Sequence, residues 1–464
     1  MKRIIAILLC LSFVLTMLAA CTPSDDNTPD DTDNNVSDSE NDGANDSGEN
    51  TDDSTVDSTE DSTDVVDPET PDVNTDDSEP VLNLEGIEAI RYSNLGEDDV
   101  YTIAGGDKLS SYFEEPFESF LGVCKYYEDN SWELYSYTVK NGNHFATWTK
   151  SSRLAHLYWI ECEQELNLVS SQKGADTLPP KTPEVTTGDV KTSVTQIQST
   201  EINGMGYVTQ LADGSFIIHD GGPAHRADEL WNTLVALNGG KTTGIVIRAW
   251  LITHGHGDHY PCVTAFADKY AKNVTVEYFL ISPVETSGNY LAGSGITTDV
   301  KKFDGAKLCY VHTGMTFNFC NVKFEMLFTG DELWIAEPYR DEGLGEAMNQ
   351  NNSSIVSRIY TDDYSAIFLG DSSEEVALRM ALYYGDYLKS DMCQIAHHGV
   401  EDFPLIAYRF INASILWYPC SQSLYDNKGR DKDVRDALKK SQYTKEIILH
   451  DKSRETREFG LYKD

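Results

Sequence analysis

Positive charge is scarce in this chain: 36 lysines and arginines stand against 76 aspartates and glutamates, a formal net charge of −40 over 464 residues. Binding of nucleic-acid polymers by phosphate neutralisation needs a basic surface, and no Lys/Arg cluster is evident, so nucleic acid is not a favoured partner. Cysteine patterns are missing too. The nine cysteines contain no CxxC pair, and beyond Cys10 and Cys21 the other seven (Cys124, Cys162, Cys262, Cys309, Cys320, Cys393, Cys420) fall at irregular spacings. That excludes a zinc ribbon and a dense disulfide framework. One or two disulfides stay open, although most of these cysteines sit in apolar runs and read more simply as small buried hydrophobes.

From Thr22 to about Pro80 there is no Lys or Arg and almost no large apolar residue; 22 acidic side chains are spread among Ser, Thr, Asn, Gly and Pro. Such a segment cannot build a core and is expected to be disordered, extended by its own charge as a stalk. It carries more than half of the net charge, leaving 34 basic and 54 acidic residues, net −20, from Val81 onward. An acidic tail that captures a basic partner or calcium is the rival reading. Ahead of it lie Lys2 and Arg3, an apolar stretch from Ile4 to Leu18, and then Leu18-Ala19-Ala20-Cys21. This resembles a bacterial lipoprotein signal and its lipobox, which implies removal of residues 1–20, lipidation of Cys21 and an extracytoplasmic protein anchored to the cell membrane. An ordinary secretory signal is the alternative; a membrane span is disfavoured, because about 20 apolar residues are needed to cross a bilayer.

Past residue 80 the composition is that of a folded chain. Residues 81–171 read as a small β-rich domain, with aromatic and β-branched runs at Ser131–Val139 and His156–Glu161 and a turn signal at Asn141-Gly142-Asn143. No catalytic constellation is visible in it. Residues 172–189, with Pro179, Pro180 and Pro183, read as a linker. From 190 to 464 strands and helices alternate while hairpins persist: Asp213-Gly214 signals a two-residue hairpin between Tyr207–Leu211 and Phe216–His219. Helices are expected near Ala227–Leu237, Val263–Tyr270, Glu374–Tyr384 and Asp433–Lys440. Strands are expected near Ile245–Ile252, Phe324–Phe328, Ser354–Tyr360, Ala366–Leu369 and Met392–Ala396. This is an α/β pattern with mixed rather than purely parallel sheets.

The chemistry concentrates in Leu251–Tyr260, LITHGHGDHY. An apolar strand ends, and the loop after it presents His254, His256, Asp258 and His259, imidazole and carboxylate ligands of the kind that zinc and its neighbours take. Gly255 and Gly257 leave room for two ions a few ångströms apart. HxHxDH is the motif of the metallo-β-lactamase fold, and three further stretches resemble that family in the expected order. Phe216–Gly222 resembles the strand whose aspartate, here Asp220, supports the ligands from behind. Ala366–Asp371 resembles the strand ending in a bridging aspartate, and Met392–Gly399 the strand ending in the last histidine, either His397 or His398, with His397 slightly favoured. The resemblance implies an αββα sandwich and two divalent ions, zinc by preference with manganese or iron as alternatives. In the family Asp258 binds the second ion and also orients the nucleophile.

One feature departs from the family: the histidine usually found between the loop and the bridging aspartate is not matched. His312 is the only one in that interval, and it reads, like His225, as an ordinary polar residue. Met348–Val356 (MNQNNSSIV) stands there instead, which together with the His397-His398-Gly399 ending resembles the competence DNA-uptake proteins and the phosphorylcholine esterases of bacterial surfaces. That places Asn352 and Ser353 near the first metal or the substrate, with a simple turn-forming role as the alternative. The implied activity is hydrolysis of a phosphoester or phosphodiester, in a small molecule or a cell-surface component, by water activated between the metals. The same fold acting on a lactone, thioester or β-lactam is the alternative, and so is a non-catalytic surface protein with a structural metal.

Overall fold

The computed structural model describes residues 88–91, 100–104, 115–181, 188–282, 295–332, 350–400, 403–427 and 432–462, all within the compact unit Asn74–Asp464. The signal stretch, Cys21, the acidic segment to residue 80 and the middle of the 172–189 stretch lie outside the described residues.

Six strands form the first sheet: β1 (Glu88–Arg91), β2 (Val100–Ala104), β3 (Glu133–Lys140), β4 (Asn143–Lys150), β5 (Arg153–Ile160) and β6 (Glu165–Ser171). Their order is β1-β2-β6-β5-β4-β3, antiparallel throughout. Asn141 and Gly142, both at positive φ, make the two-residue turn between β3 and β4 that an Asn-Gly pair favours. One face of the sheet carries helix α1 (Glu118–Asp129), which packs Phe120, Val123 and Tyr127 against Trp148, Leu157 and Trp159.

Two seven-stranded sheets follow, packed face to face. The first contains β7 (Ser193–Gln196), β8 (Gly206–Gln210), β9 (Phe216–Asp220), β10 (Ile245–Leu251), β11 (Val274–Ile281) and β12 (Lys307–Tyr310). The second contains β13 (Thr316–Phe319), β14 (Val322–Phe328), β15 (Val356–Tyr360), β16 (Ser365–Phe368), β17 (Met392–Gln394), β18 (Ile415–Tyr418) and β19 (Glu446–Leu449), while β20 (Glu455–Glu458) returns to the outer edge of the first. Each is antiparallel at one side and parallel at the other, as the mixed pattern predicts. The β8–β9 turn is wider than Asp213-Gly214 alone suggests: it runs from Leu211 to Ser215, closed by Leu211 and Ser215 backbone pairing and by Asp213 accepting from Ser215.

Strands buried on both faces explain the near-continuous apolar runs. Tyr207, Ile217, Leu251 and Leu280 meet Phe324, Met326, Phe368 and Trp417 between the sheets. On the outside of the first sheet, Val208, Ile218 and Trp250 pack under α2 (Ala227–Leu237), α3 (Pro261–Tyr270) and α4 (Gly295–Val300). On the outside of the second, Ile367, Leu369 and Leu416 pack under α5 (Glu374–Tyr384) and α6 (Leu405–Ile411), with α7 (Gln422–Asp426) and α8 (Lys432–Lys440) beside them. The layers are therefore α, β, β, α.

The β-rich sheet packs directly on the sandwich. Phe145, Tyr158 and Val169 share one core with Leu327, Phe328, Tyr383 and Tyr384 of the sandwich. Gly314 shows how close the approach is: its φ is 89°, and a Cβ there would lie 1.7 Å from the Phe145 ring. The first half of the proline-bearing segment is packed as well, with Leu178 buried beside Leu154. Of the seven cysteines after Cys21, Cys162 is exposed, Cys124 is half-buried and the other five are buried.

Candidate metal centre

β9, β10, β16 and β17 all deliver residues to one rim of the sandwich. β10 ends at Leu251, Ile252 still pairs with Leu280, and the chain then turns through residues 253–260 until Pro261 opens α3 at a position where its missing N–H costs nothing. Behind this loop Asp220, held at φ 52°, is fully buried and fully used. One of its oxygens accepts from the Thr253 backbone N–H (2.8 Å); the other accepts from the Thr253 hydroxyl (2.7 Å) and from His259 Nδ1 (2.8 Å). The bond fixes the tautomer of His259 and aims its Nε2 into the cleft, which is the task expected of a carboxylate behind a ligating imidazole.

The ligand-type atoms form two groups that share Asp371 and could each hold an ion: His254, His256 and Asp371, and Asp258, His259, Asp371 and His398. Asp371 Oδ2 lies 3.0 Å from His259 Nε2, 3.3 Å from His398 Nε2 and 3.9 Å from His254 Nε2. His398 Nε2 is also 3.0 Å from Asp258 Oδ2, and His254 Nε2 is 2.9 Å from His256 Nδ1. Despite these short separations, His259 Nε2, His398 Nε2 and Asp371 Oδ1 are buried without a hydrogen bond of acceptable geometry. Buried polar atoms are ordinarily satisfied by one another. Lone pairs that converge without pairing are what a shared cation requires, so these residues fit two divalent ions.

The charges reinforce that reading. Burial and the neighbouring His259 hold the His254 imidazolium well below the usual histidine range, and burial does the same to His256. Burial opposes the charged forms of His259 and His398, yet Asp371 with Asp220 raises His259 well above its ordinary value, and Asp371 with Asp258 lifts His398 to about 9. Burial would raise Asp371 and Asp258, but the two rings facing them hold both carboxyls well below the ordinary range. Asp371 and Asp258 are therefore held as carboxylates by the positive charge that His259 and His398 carry beside them, charge of the sign a metal ion would supply.

The last histidine comes from an unusual backbone. His397 (φ 43°, ψ 49°), His398 (φ 55°, ψ 9°) and Gly399 (φ 74°) are consecutive left-handed residues, a strain of about 1–3 kcal/mol for each histidine that the surroundings must hold. Gln394 is one such restraint: its buried amide accepts from the Leu369 and Gly370 N–H groups and donates to the Gly370 and Ile395 carbonyls, joining the ends of β16 and β17. The twist separates the two rings. His398, with Nδ1 on the Pro419 carbonyl at 3.0 Å, joins the four-residue group; His397, which the sequence slightly favours, does not. Its ring stands at the mouth, 15% exposed, 3.8 Å from Asp371 and alongside the Asn351 amide.

The asparagine–serine cluster borders the same mouth. Ser353 donates to the Gln350 carbonyl, closing a local turn, and Asn352 accepts from the Ser373 N–H and hydroxyl at the entrance to α5. Their neighbours face the site instead. Ser354 Oγ lies 3.2 Å from His254 Nδ1 and accepts from the Asp371 N–H at 3.0 Å, tying the first group to the shared carboxylate. Ser353 ends a 3₁₀ turn, Gln350–Ser353, and Ser354 stands just past it before β15 begins, so which one faces the cleft depends on a turn the sequence does not display. His219 is buried against Phe368, as expected for a side chain on the other face of β9, and His225 is exposed beside Glu201.

No protein-family model matches this chain, and no curated protein matches it. It is similar to several solved structures, at TM-scores well below one half. Igni18, a metallo hydrolase from the archaeon Ignicoccus hospitalis, is 11% identical with a TM-score of 0.33, over 58% of this chain and 100% of that one. The diiron β-hydroxylase CmlA from Streptomyces venezuelae is 13% identical with a TM-score of 0.36, over 58% of this chain and 54% of its own. The metallo-β-lactamase fold protein YhfI from Bacillus subtilis is 12% identical with a TM-score of 0.36, over 57% of this chain and 98% of that one.

Proposed function

We propose that the chain is a dinuclear metal-dependent hydrolase of phosphoester or phosphodiester bonds. The observation that carries the metal reading is the shared, buried Asp371, whose carboxylate belongs to both ligand groups while His259 Nε2 and His398 Nε2 face it unpaired. Nitrogen and oxygen donors in this mixture suit zinc, with manganese or iron as alternatives. Held by these residues, two such ions would supply water of near-neutral pKa and positive charge opposite an attacked phosphate.

The protein's own part is placement. Asp371 keeps the two groups within reach of one substrate atom. His254 and His259 are locked by Thr253, Ser354 and Asp220, so neither reorganises on binding. His256, Asp258 and His397 are the less buried members and line the way in from solvent. Asp258, next to that opening and aimed at the second group, is the residue we assign to orienting the attacking water. The phosphoester preference rests on the Asn351–Ser354 segment standing where a further histidine is usual, together with the His397-His398-Gly399 ending. The apolar start and Cys21 support an extracytoplasmic protein lipid-anchored to a bacterial membrane, with small phosphoesters or cell-surface components as its substrates. Among the described residues no helix is long and apolar enough to cross a membrane. Hydrolysis of bis(p-nitrophenyl) phosphate by the metal-loaded protein, lost in Asp258→Ala, is the expected result. A protein with both ions bound that cleaves a lactone, thioester or β-lactam but no phosphodiester would overturn the substrate assignment.

A further inference from the structure

Three members of the second ligand group are held by burial: the side chains of His259, Asp371 and His398 are 0–2% exposed. Asp258 is different, 24% exposed and carried on a loop bordered by Gly255 and Gly257. A carboxylate so placed has solvent to turn toward, and packing alone does not fix its torsion. From outside the ligand group Asn203 reaches it: Asn203 Nδ2 donates to Asp258 Oδ2 at 2.7 Å, the same oxygen that faces His398 Nε2 at 3.0 Å.

Asn203 is itself anchored. Its backbone bridges Cys420, the Gly204 N–H donates to the Pro419 carbonyl (3.2 Å), and the Met205 N–H donates to the Asp258 carbonyl (3.1 Å). The buried Arg226 guanidinium holds the Gly204 carbonyl at 2.8 Å. That Pro419 carbonyl is also the partner of His398 Nδ1. A single strap, residues 203–205 against 419–420, thus braces both the aspartate and the last histidine of the second group, touching the first group nowhere in these contacts.

Resting on the dinuclear reading above, we propose that Asn203 is a positioning residue for the second metal, fixing the carboxylate of Asp258 toward His398 and away from solvent. Groups that orient metal ligands are worth about 10–100-fold in metal affinity. Titration of metal-stripped protein with cobalt(II) or zinc against a competing chelator reads the two sites separately and needs no substrate. In Asn203→Ala the second ion is expected to bind about 10–100-fold more weakly while the first is little changed. In Asn203→Asp, the same shape with a repelling oxygen in place of the donor, the loss is larger. Unchanged affinities in both variants would overturn the proposal. So would parallel loss of both ions with a lower melting temperature of the metal-stripped protein, since that marks a general structural role. A wild type that binds two ions yet hydrolyses no phosphodiester defeats the substrate assignment and leaves the role of Asn203 standing.

Discussion

Among the described residues, two regions bury histidines, carboxylates and cations together, and one of them resembles a place for chemistry. The other is the seam between the β-rich sheet and the sandwich. There His156 receives the Thr147 hydroxyl at Nδ1 and donates from Nε2 to the Thr313 carbonyl, and its ring stacks on His312, which meets Asp331. Nearby the buried Lys140 donates to the Gly314 carbonyl and to Thr138 and Thr316, while Glu325 takes Arg358 at 2.7 Å and the Tyr387 hydroxyl at 2.9 Å. These groups largely satisfy one another. In the cleft, by contrast, the central nitrogens and one carboxylate oxygen converge and remain unpaired. Burial and charge density are common to both regions; the direction in which the unpaired atoms point separates them.

The sharpest test is to remove one carboxylate from each. Asp371→Ala is expected to abolish binding of both ions and reduce phosphodiester hydrolysis to background, at a smaller cost to the melting temperature of the metal-stripped protein than loss of Glu325, because His259 keeps Asp220 and His398 keeps Asp258. Glu325→Leu should do the opposite. It leaves Arg358 and Lys140 buried without their anion, a change worth about 3–5 kcal/mol in a buried pair. Metal stoichiometry and chemical denaturation on the two variants settle whether the contrast is real; equal destabilisation by both would erase it.

Acid provides the next test. Burial pushes His156 down to about 3, and the same cause takes His219 to about 3 and His450 to about 4. As pH falls below about 6.5 the unfolded chain takes up these protons first, so stability present above that value is lost progressively toward pH 3. Glu332, raised to about 8 by burial, slopes the other way: its contribution is complete below the ordinary carboxyl range and fades as pH rises through 8. Metal-stripped protein should therefore melt at lower temperature at pH 5 than at pH 7, and His156→Gln should flatten that slope. A slope unchanged by the substitution would remove His156 from the account.

How much of this was legible in the sequence follows from how local each signal is. The strands and helices of the sandwich were, because apolar runs of the right length bounded by Gly and Pro depend on nearest neighbours. So was the convergence of His254, His256, Asp258, His259 and Asp371 on one cleft, since each stands at or just beyond a strand end. The choice between His397 and His398 was not, because it depends on two consecutive left-handed residues that non-glycine side chains rarely adopt. Asn203, Gln394 and the packing of the β-rich sheet onto the sandwich were also invisible, since each depends on contacts between segments far apart in the chain. The seam histidines show the converse: His312 looks ordinary in sequence and proves to be buried in a satisfied network.

The smallest expected effect lies within one dipeptide and carries the same contrast at the scale of two hydroxyls. Ser354→Ala removes the oxygen that touches His254 Nδ1 and accepts the Asp371 N–H, leaving two groups of the first site without a brace. Loss of an orienting partner of this kind is worth about 10-fold in metal affinity, at the lower end of the usual range, because Thr253 also contacts His254. Ser353→Ala removes only a turn-closing bond to Gln350 and should leave both ions bound as before, at about 1 kcal/mol of stability. Cobalt(II) titration of the two variants separates a hydroxyl that serves the metal from one that serves the backbone. If Ser353→Ala weakened the first ion and Ser354→Ala did not, the register of this segment would be shifted by one residue and the cleft would have to be redrawn.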